Sequence, residues 1–342
     1  MNIQKIRRSI TKNIFSVFVS NQQKTYENID RNSIKKILII RPNHRLGNQI
    51  LMTALMCEIE KEFPNAEMSY LGKGNLSIAL FKNFQSLNSF VLLPKKHFKQ
   101  LLQYLSVWVS MFFKKYDLVI NVNAHSSSGK TLTSISNSKY KILNNEKANN
   151  KLNCQEMHLA TQPIEILRKS FGYNADETYP CLDLKHPTVP KHRLDWFTKK
   201  MERMDKPVIF LFTNATGDKD YNQEFWQELY TQLKLQLPNH HIVEMLPIEN
   251  RSKFNFEIDY FYSKSMDEMC QVLNHGAICI SGDCGVMHLA VASRIPTLGL
   301  FKFDNMDKYK PYGNMNSVID TRVTSVNEIV HEVSKMMAVR TI

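Results

Sequence analysis

Ala277-Ile278-Cys279-Ile280-Ser281-Gly282-Asp283-Cys284-Gly285-Val286-Met287-His288-Leu289-Ala290 is the stretch whose reading decides the fold. Residues 277–280 form an apolar run that reads as a buried strand. A tight glycine-containing turn follows, and residues 287–292 read as the first turns of a helix. Strand, turn and helix make the repeating unit of a parallel α/β sheet. The same unit is an anion site. The first helical N–H groups have no partner within the helix, and the positive end of its dipole faces the same way. Asp283 and His288 flank the turn. The N–H groups of Gly285, Val286 and Met287 therefore ask for a phosphate-bearing ligand.

Working outward, the pattern recurs on both sides. Strands are expected over 36–41, 68–71, 90–93 and 116–122, with helices over 49–63 and 98–114. Residues 185–192 contain two prolines and read as a linker. Beyond it, strands are expected over 207–213, 241–246, 277–281 and 296–300, with helices over 223–237, 266–273, 286–293 and 325–337. The reading is α/β: two Rossmann-like domains facing a cleft, with ligands at the carboxyl ends of strands. A basic amphipathic arm takes 1–34, an N-terminal acceptor domain 35–186, and a C-terminal nucleotide-sugar-binding domain 187–342. The last helix is a candidate to pack back on the N-terminal domain.

Composition agrees with a globular chain of more than one domain: 342 residues, 43% hydrophobic and 22% charged. The six cysteines show no paired spacing, which fits buried thiols in a reducing compartment and excludes a structural zinc cluster. The net charge of +12 favours an anionic partner. Residues 1–36 concentrate it, with Lys5, Arg7, Arg8, Lys12, Lys24, Arg31, Lys35 and Lys36 against Glu27 and Asp30. Ile3, Ile6, Ile10, Ile14 and Phe18 recur there at helical spacing, as in a helix lying on a membrane surface. The apolar run 101–113, flanked by lysines, is too short to span a bilayer. It reads as a core helix of the first domain, or alternatively as one whose aromatics touch lipid. The chain is expected to be cytoplasmic and peripheral to a membrane. Nucleic-acid signatures are absent, as is the glycine pattern of a dinucleotide-binding dehydrogenase.

Three loops carry the candidate chemistry. The first is Pro42-Asn43-His44-Arg45-Leu46-Gly47-Asn48, where Gly47 either permits a turn or lets a substrate approach the backbone. The second is Thr213-Asn214-Ala215-Thr216-Gly217-Asp218-Lys219, whose lysine could clamp a phosphate. The third is the opening turn.

Their order resembles glycosyltransferase family 9, the lipopolysaccharide heptosyltransferases, over roughly 35–320. Asp283-Cys284-Gly285-Val286-Met287-His288-Leu289-Ala290 resembles the family's D-[ST]-G-x-x-H-L-x-A, with Cys284 for the hydroxyl residue. Lys219 with Trp226 resembles the lysine of a K-x-W-x-x-x-x-W stretch, with Tyr221 for the first tryptophan. Weaker matches are Ile39-Ile40-Arg41 with Leu46-Gly47, Tyr116–Ile120 and Pro296–Phe301.

The resemblance implies a GT-B fold and an inverting transfer from a nucleoside-diphosphate sugar, ADP-heptose in type, to a lipid-linked saccharide. No cofactor or metal is expected. Lys219 and the N–H groups around Gly285–His288 would stabilise charge on the leaving diphosphate. Thr213, Asn214, Leu246, Pro247 and Asp283 complete the donor side, and Arg45, Gly47 and Asn48 the acceptor side. One departure matters. The family's acceptor-activating acid is here Asn48, and an amide cannot take a proton near neutral pH. His44 and His125 are the nearest substitutes by loop position. The alternatives are an inert nucleotide-sugar binder, or a fucosyl or other hexosyl transferase. The last rests on Arg45-Leu46-Gly47-Asn48-Gln49, which resembles a loop of inverting fucosyltransferases.

Overall fold

The computed structural model describes residues 26, 29–94, 100–123, 125–144, 154, 156–172, 178–185, 194, 197, 199 and 206–338. The amphipathic repeat of the arm (3–18) and most of the 185–192 linker lie outside them. The chain divides into two compact units. Unit 1 is Met1–Arg45 with Ala54–Pro180, and unit 2 is Leu46–Thr53 with Cys181–Ile342.

In chain order the elements through the first sheet are β1 (Lys36–Ile40), α1 (Leu46–Ile50), α2 (Met52–Glu62), β2 (Glu67–Lys73), α3 (Leu76–Phe81) and β3 (Leu87–Leu93). They continue with α4 (Leu101–Phe113), β4 (Lys115–Asn121), α5 (Ser127–Ile135), β5 (Asn137–Leu143) and α6 (Gln162–Ser170). Unit 1 holds a five-stranded sheet in the order β3-β2-β1-β4-β5, every pairing parallel. Its strands are fully buried at the centre, as the continuous Ile37–Ile40 run requires of a sheet covered on both faces. Strand order reverses between β1 and β4, which makes the crevice outside their carboxyl ends the expected ligand position.

The second sheet is built from β6 (Val208–Phe212), α7 (Gln223–Gln236), β7 (His241–Met245), β8 (Tyr260–Phe261), α8 (Met266–Asn274) and β9 (Ile278–Gly282). It is completed by α9 (Gly285–Ala292), β10 (Thr297–Phe301), α10 (Met306–Tyr309), β11 (Ser317–Asp320) and α11 (Val326–Ala338). The order is β11-β10-β9-β6-β7-β8, again all parallel. Its switch point lies between β6 and β9. Ile209, Leu211, Trp226, Leu229, Leu233, Ile280, Leu298 and Leu300 form one buried core. The last helix contributes Ile329, Val330 and Val333 to this same core, packing on α7.

Three expectations need correction. The helix expected over 49–63 is two helices, α1 and α2, separated at Leu51. The Thr53 hydroxyl donates to the Ile50 carbonyl at 2.8 Å, a side-chain bond that competes with the backbone ladder and bends helices. Sequence patterning also missed α3, α5, β5, α6, β8, α10 and β11. The strands among them are short or amphipathic: β5 (NSKYKIL) buries only Ile142 and Leu143. Finally, α4 is not a core helix on its full apolar circumference. Val107, Trp108 and Met111 are buried, but Leu102, Leu105, Val109, Phe112 and Phe113 face water.

Candidate functional site

The loops after β6 and β9 leave adjacent parallel strands at the switch point of the second sheet. That geometry brings Lys219 and Asp283 together, 64 residues apart in sequence. Lys219 Nζ donates to Asp283 Oδ2 as an ion pair. The same oxygen accepts from Asn305 Nδ2 at 2.9 Å. Asp283 is buried, whereas the lysine side chain is 35% exposed and so open to a ligand. Its ammonium also lies 5.6 Å from the centre of the Tyr309 ring. In this arrangement the acid's part is to hold the lysine cation in place.

Beyond Asp283 the chain enters α9. Cys284 occupies the cap position with extended backbone, and its sulfur lies 3.3 Å from the Ser281 hydroxyl. Burial pushes the Cys284 thiol above its ordinary range. Gly285, Val286 and Met287 supply the N–H groups of the first turn. His288 is buried at 2% exposure.

Gly47 and Gly285 explain why. A side-chain carbon at Gly47 would come within 2.7 Å of His288 Cδ2 and 3.3 Å of the Gly285 backbone. One at Gly285 would lie 2.8 Å from Leu46 Cβ and 3.0 Å from the Gly47 nitrogen. Helices α1 and α9 thus meet glycine to glycine, and the space at Gly47 is filled by His288. Helix packing by itself requires glycine there. Gly285→Ala should lower stability by about 1–3 kcal/mol through overpacking. Chemical denaturation checks this; an unchanged midpoint would show that the two helices can part freely.

Asn48 is half-buried on α1 in the same unit. His44 and Arg45, both exposed, end the preceding segment of unit 1. The Arg45 N–H is held by Asn43 Oδ1 at 2.7 Å. His125 is exposed in the turn after β4. His44 and His125 therefore follow neighbouring strands at the switch point of the first sheet.

Other expected donor residues have occupations of their own. The Thr213 hydroxyl donates to Glu244 Oε1 at 2.6 Å, and Asn214 Nδ2 donates to Thr213 Oγ1 at 3.0 Å and the Arg251 carbonyl at 3.3 Å. Glu244 is fully buried and also accepts from the Ser252 hydroxyl and, at 2.9 Å, the Lys253 N–H. This carboxylate ties the loop after β7 to the loop after β6. Leu246 and Pro247 are buried, and Ile248, Glu249 and Asn250 after them are exposed.

Sequence reading missed Glu244, Asn305, Lys302 and Lys253. Lys302 and Asn305 follow β10, so the strand-end rule that selected the other loops could have found them. Lys302 Nζ lies 4.2 Å from the Tyr221 ring centre and donates to the Asp220 carbonyl at 2.5 Å. Lys253 pairs with Asp220 Oδ2 at 2.7 Å. Tyr221 is buried, stacked on Phe225 at 4.4 Å and donating or accepting at Thr321 Oγ1 over 2.8 Å. Burial first, and then the carboxylates of Asp283 and Asp320, push its hydroxyl up to about 12, so it stays protonated. Replacing the tryptophan of the resembling motif, Tyr221 is a packed support for the Lys219 turn.

Comparisons with known proteins point one way. Residues 263–336 match the family model described as glycosyltransferase family 9 (heptosyltransferase). That segment includes Asp283, α9 and Asn305 but not Lys219. No curated protein sequence matches the chain. Among solved structures, the family 9 glycosyl transferase of Veillonella parvula DSM 2008 is 16% identical with a TM-score of 0.70, covering 91% of this chain and 99% of that one. The E. coli heptosyltransferase WaaC with ADP is 14% identical with a TM-score of 0.65, covering 88% and 99%. The E. coli ADP-heptose lps heptosyltransferase II is 13% identical with a TM-score of 0.64, covering 90% and 100%. The expected fold class therefore holds: two parallel-stranded Rossmann-like units with flanking helices. The chain has the GT-B fold of the family 9 heptosyltransferases, and residues 263–336 carry that family's pattern.

Proposed function

We propose that this protein is an inverting, metal-independent glycosyltransferase. It would move a heptose-like sugar from a nucleoside-diphosphate donor to a lipopolysaccharide-type or other lipid-linked acceptor. The observation that carries the reading is Lys219 paired with Asp283, whose carboxylate Asn305 also holds, just before α9. In the reaction an acceptor hydroxyl oxygen bonds to the anomeric carbon as the bond from that carbon to the diphosphate breaks. The electron pair leaves on a phosphate oxygen. Lys219 and the N–H groups of Gly285, Val286 and Met287 would meet that growing charge in a fixed arrangement that needs no reorganisation. Leu246 and Pro247 would shape the nucleotide side, with Ile248 the apolar side chain free to contact a base.

The hydroxyl proton needs an acceptor, and Asn48 cannot serve. His44 and His125, at the strand ends of unit 1, are the candidate bases, while Asn48 and Arg45 would orient the acceptor. Donor binding is tested by thermal shift with nucleoside diphosphates, beginning with ADP because WaaC was solved with it. A ligand at one hundred times its dissociation constant stabilises the fold by about 2.7 kcal/mol. Absence of any shift across ADP, UDP, GDP and their sugar conjugates would remove the reading.

The amide at position 48 favours a second reading, an inert nucleotide-sugar binder. Turnover by wild type speaks for the enzyme. Nucleotide binding without turnover, with activity appearing only in Asn48→Asp, would identify a binder whose base has been lost.

A further inference from the structure

We propose that the outer face of α4 is a docking surface for an anionic lipid bilayer. The helix is apolar around most of its circumference but only one side is used by the fold. Tyr104, Val107, Trp108 and Met111 turn inward, toward β3 and α5. Leu102 is 85% exposed, Leu105 48%, Val109 53%, Phe112 54% and Phe113 79%. Positions 102, 105, 109, 112 and 113 follow helical spacing, so the exposed side chains form one continuous stripe. Single exposed hydrophobics are ordinary; a row of five with two phenylalanines calls for a partner.

Charge identifies the partner. From Lys95 to Tyr116 the sequence contains no Asp or Glu. Lys95, Lys96 and Lys99 precede the helix, and Lys114 and Lys115, both exposed, close it. Exposed cations closing an apolar stripe suit a surface that is apolar below and anionic above, with the stems of Lys114 and Lys115 reaching the headgroups. A protein groove receiving the stripe would instead be matched by mixed charge at its rim. The helix lies on the membrane and does not cross it. Its thirteen residues extend about 20 Å against the roughly 30 Å of a hydrocarbon core. Among the described residues no helix is long and apolar enough to span a bilayer.

The proposal stands apart from the donor site, and its test needs no nucleotide, so the two fail separately. The full chain is sedimented with vesicles of phosphatidylcholine alone or mixed with phosphatidylglycerol. Binding should require phosphatidylglycerol and weaken as salt rises. Leu102→Ser with Phe113→Ser should reduce vesicle partitioning by at least about tenfold. Lys114→Gln with Lys115→Gln should reduce it by about fivefold per charge. The thermal midpoint should be unchanged in both, because the altered side chains are already in water. A wild type that ignores anionic vesicles, or a serine variant that binds them undiminished, overturns the proposal. So does a chain that is dimeric as wild type and monomeric as the serine variant, which would assign the stripe to a second copy.

Discussion

Lys219→Ala is expected to lower kcat by about two to three orders of magnitude, the effect of removing one preorganised donor from a developing negative charge. The lysine is only partly buried, yet Asp283, itself held by Asn305, fixes where its ammonium sits before any ligand arrives. Fixed charge is what makes a donor useful in a transition state, and it is why the loss should fall mainly on kcat and less on KM. Lys219→Arg should recover only part of the rate, since a planar fork cannot take the place of a point charge held by one carboxylate oxygen. The measurement is steady-state kinetics with an identified donor and acceptor. If the protein binds without turnover, the same substitution should weaken ADP affinity by about tenfold or more. Wild-type values in both assays would dismiss Lys219 from the site.

The largest stability effect should come from unit 1. Arg168 Nε donates to Glu58 Oε1 at 2.7 Å and Arg168 Nη2 to Glu58 Oε2 at 3.0 Å, a two-pronged pair with both side chains buried. The guanidinium also donates to the Thr178 carbonyl at 3.2 Å and lies 4.8 Å from the Tyr179 ring centre. Glu58→Leu would leave that cation buried without its counter-charge, at a cost of about 3–5 kcal/mol. Against a typical total of about 5–15 kcal/mol, this approaches loss of the folded unit. The double variant Glu58→Leu with Arg168→Met should recover most of the difference, because the desolvation penalty disappears with both charges. Urea unfolding of the two single variants and the double variant forms the cycle. If the two single effects simply add up to that of the double variant, the pair is not coupled in the way its geometry requires.

These two effects also mark where sequence reading stopped. Lys219 and Asp283 were each legible as chemistry-bearing residues, because a lysine after one strand and an acid before a helix are local patterns. Their pairing was not, since adjacency of β6 and β9 is a property of the sheet. Glu58 and Arg168 gave no local signal at all: their pairing spans 110 residues and each sits in an ordinary amphipathic helix. Gly47 was legible as a special position, but its contact with His288 and Gly285 was not. A missing Cβ looks the same in sequence whether a ligand or another helix fills the space.

The sequence by itself determined the α/β repetition, the placement of the turns at strand ends and the resemblance carried by 283–290. All of these depend on periodicity, glycine and short-range order. Only the tertiary structure decided which loops meet, that 46–53 packs with α9, and which apolar stripe of α4 is covered. An apolar face records that a helix can be buried. Whether it is depends on neighbours that chain topology supplies, and on α4 they cover one side and leave the other to solvent.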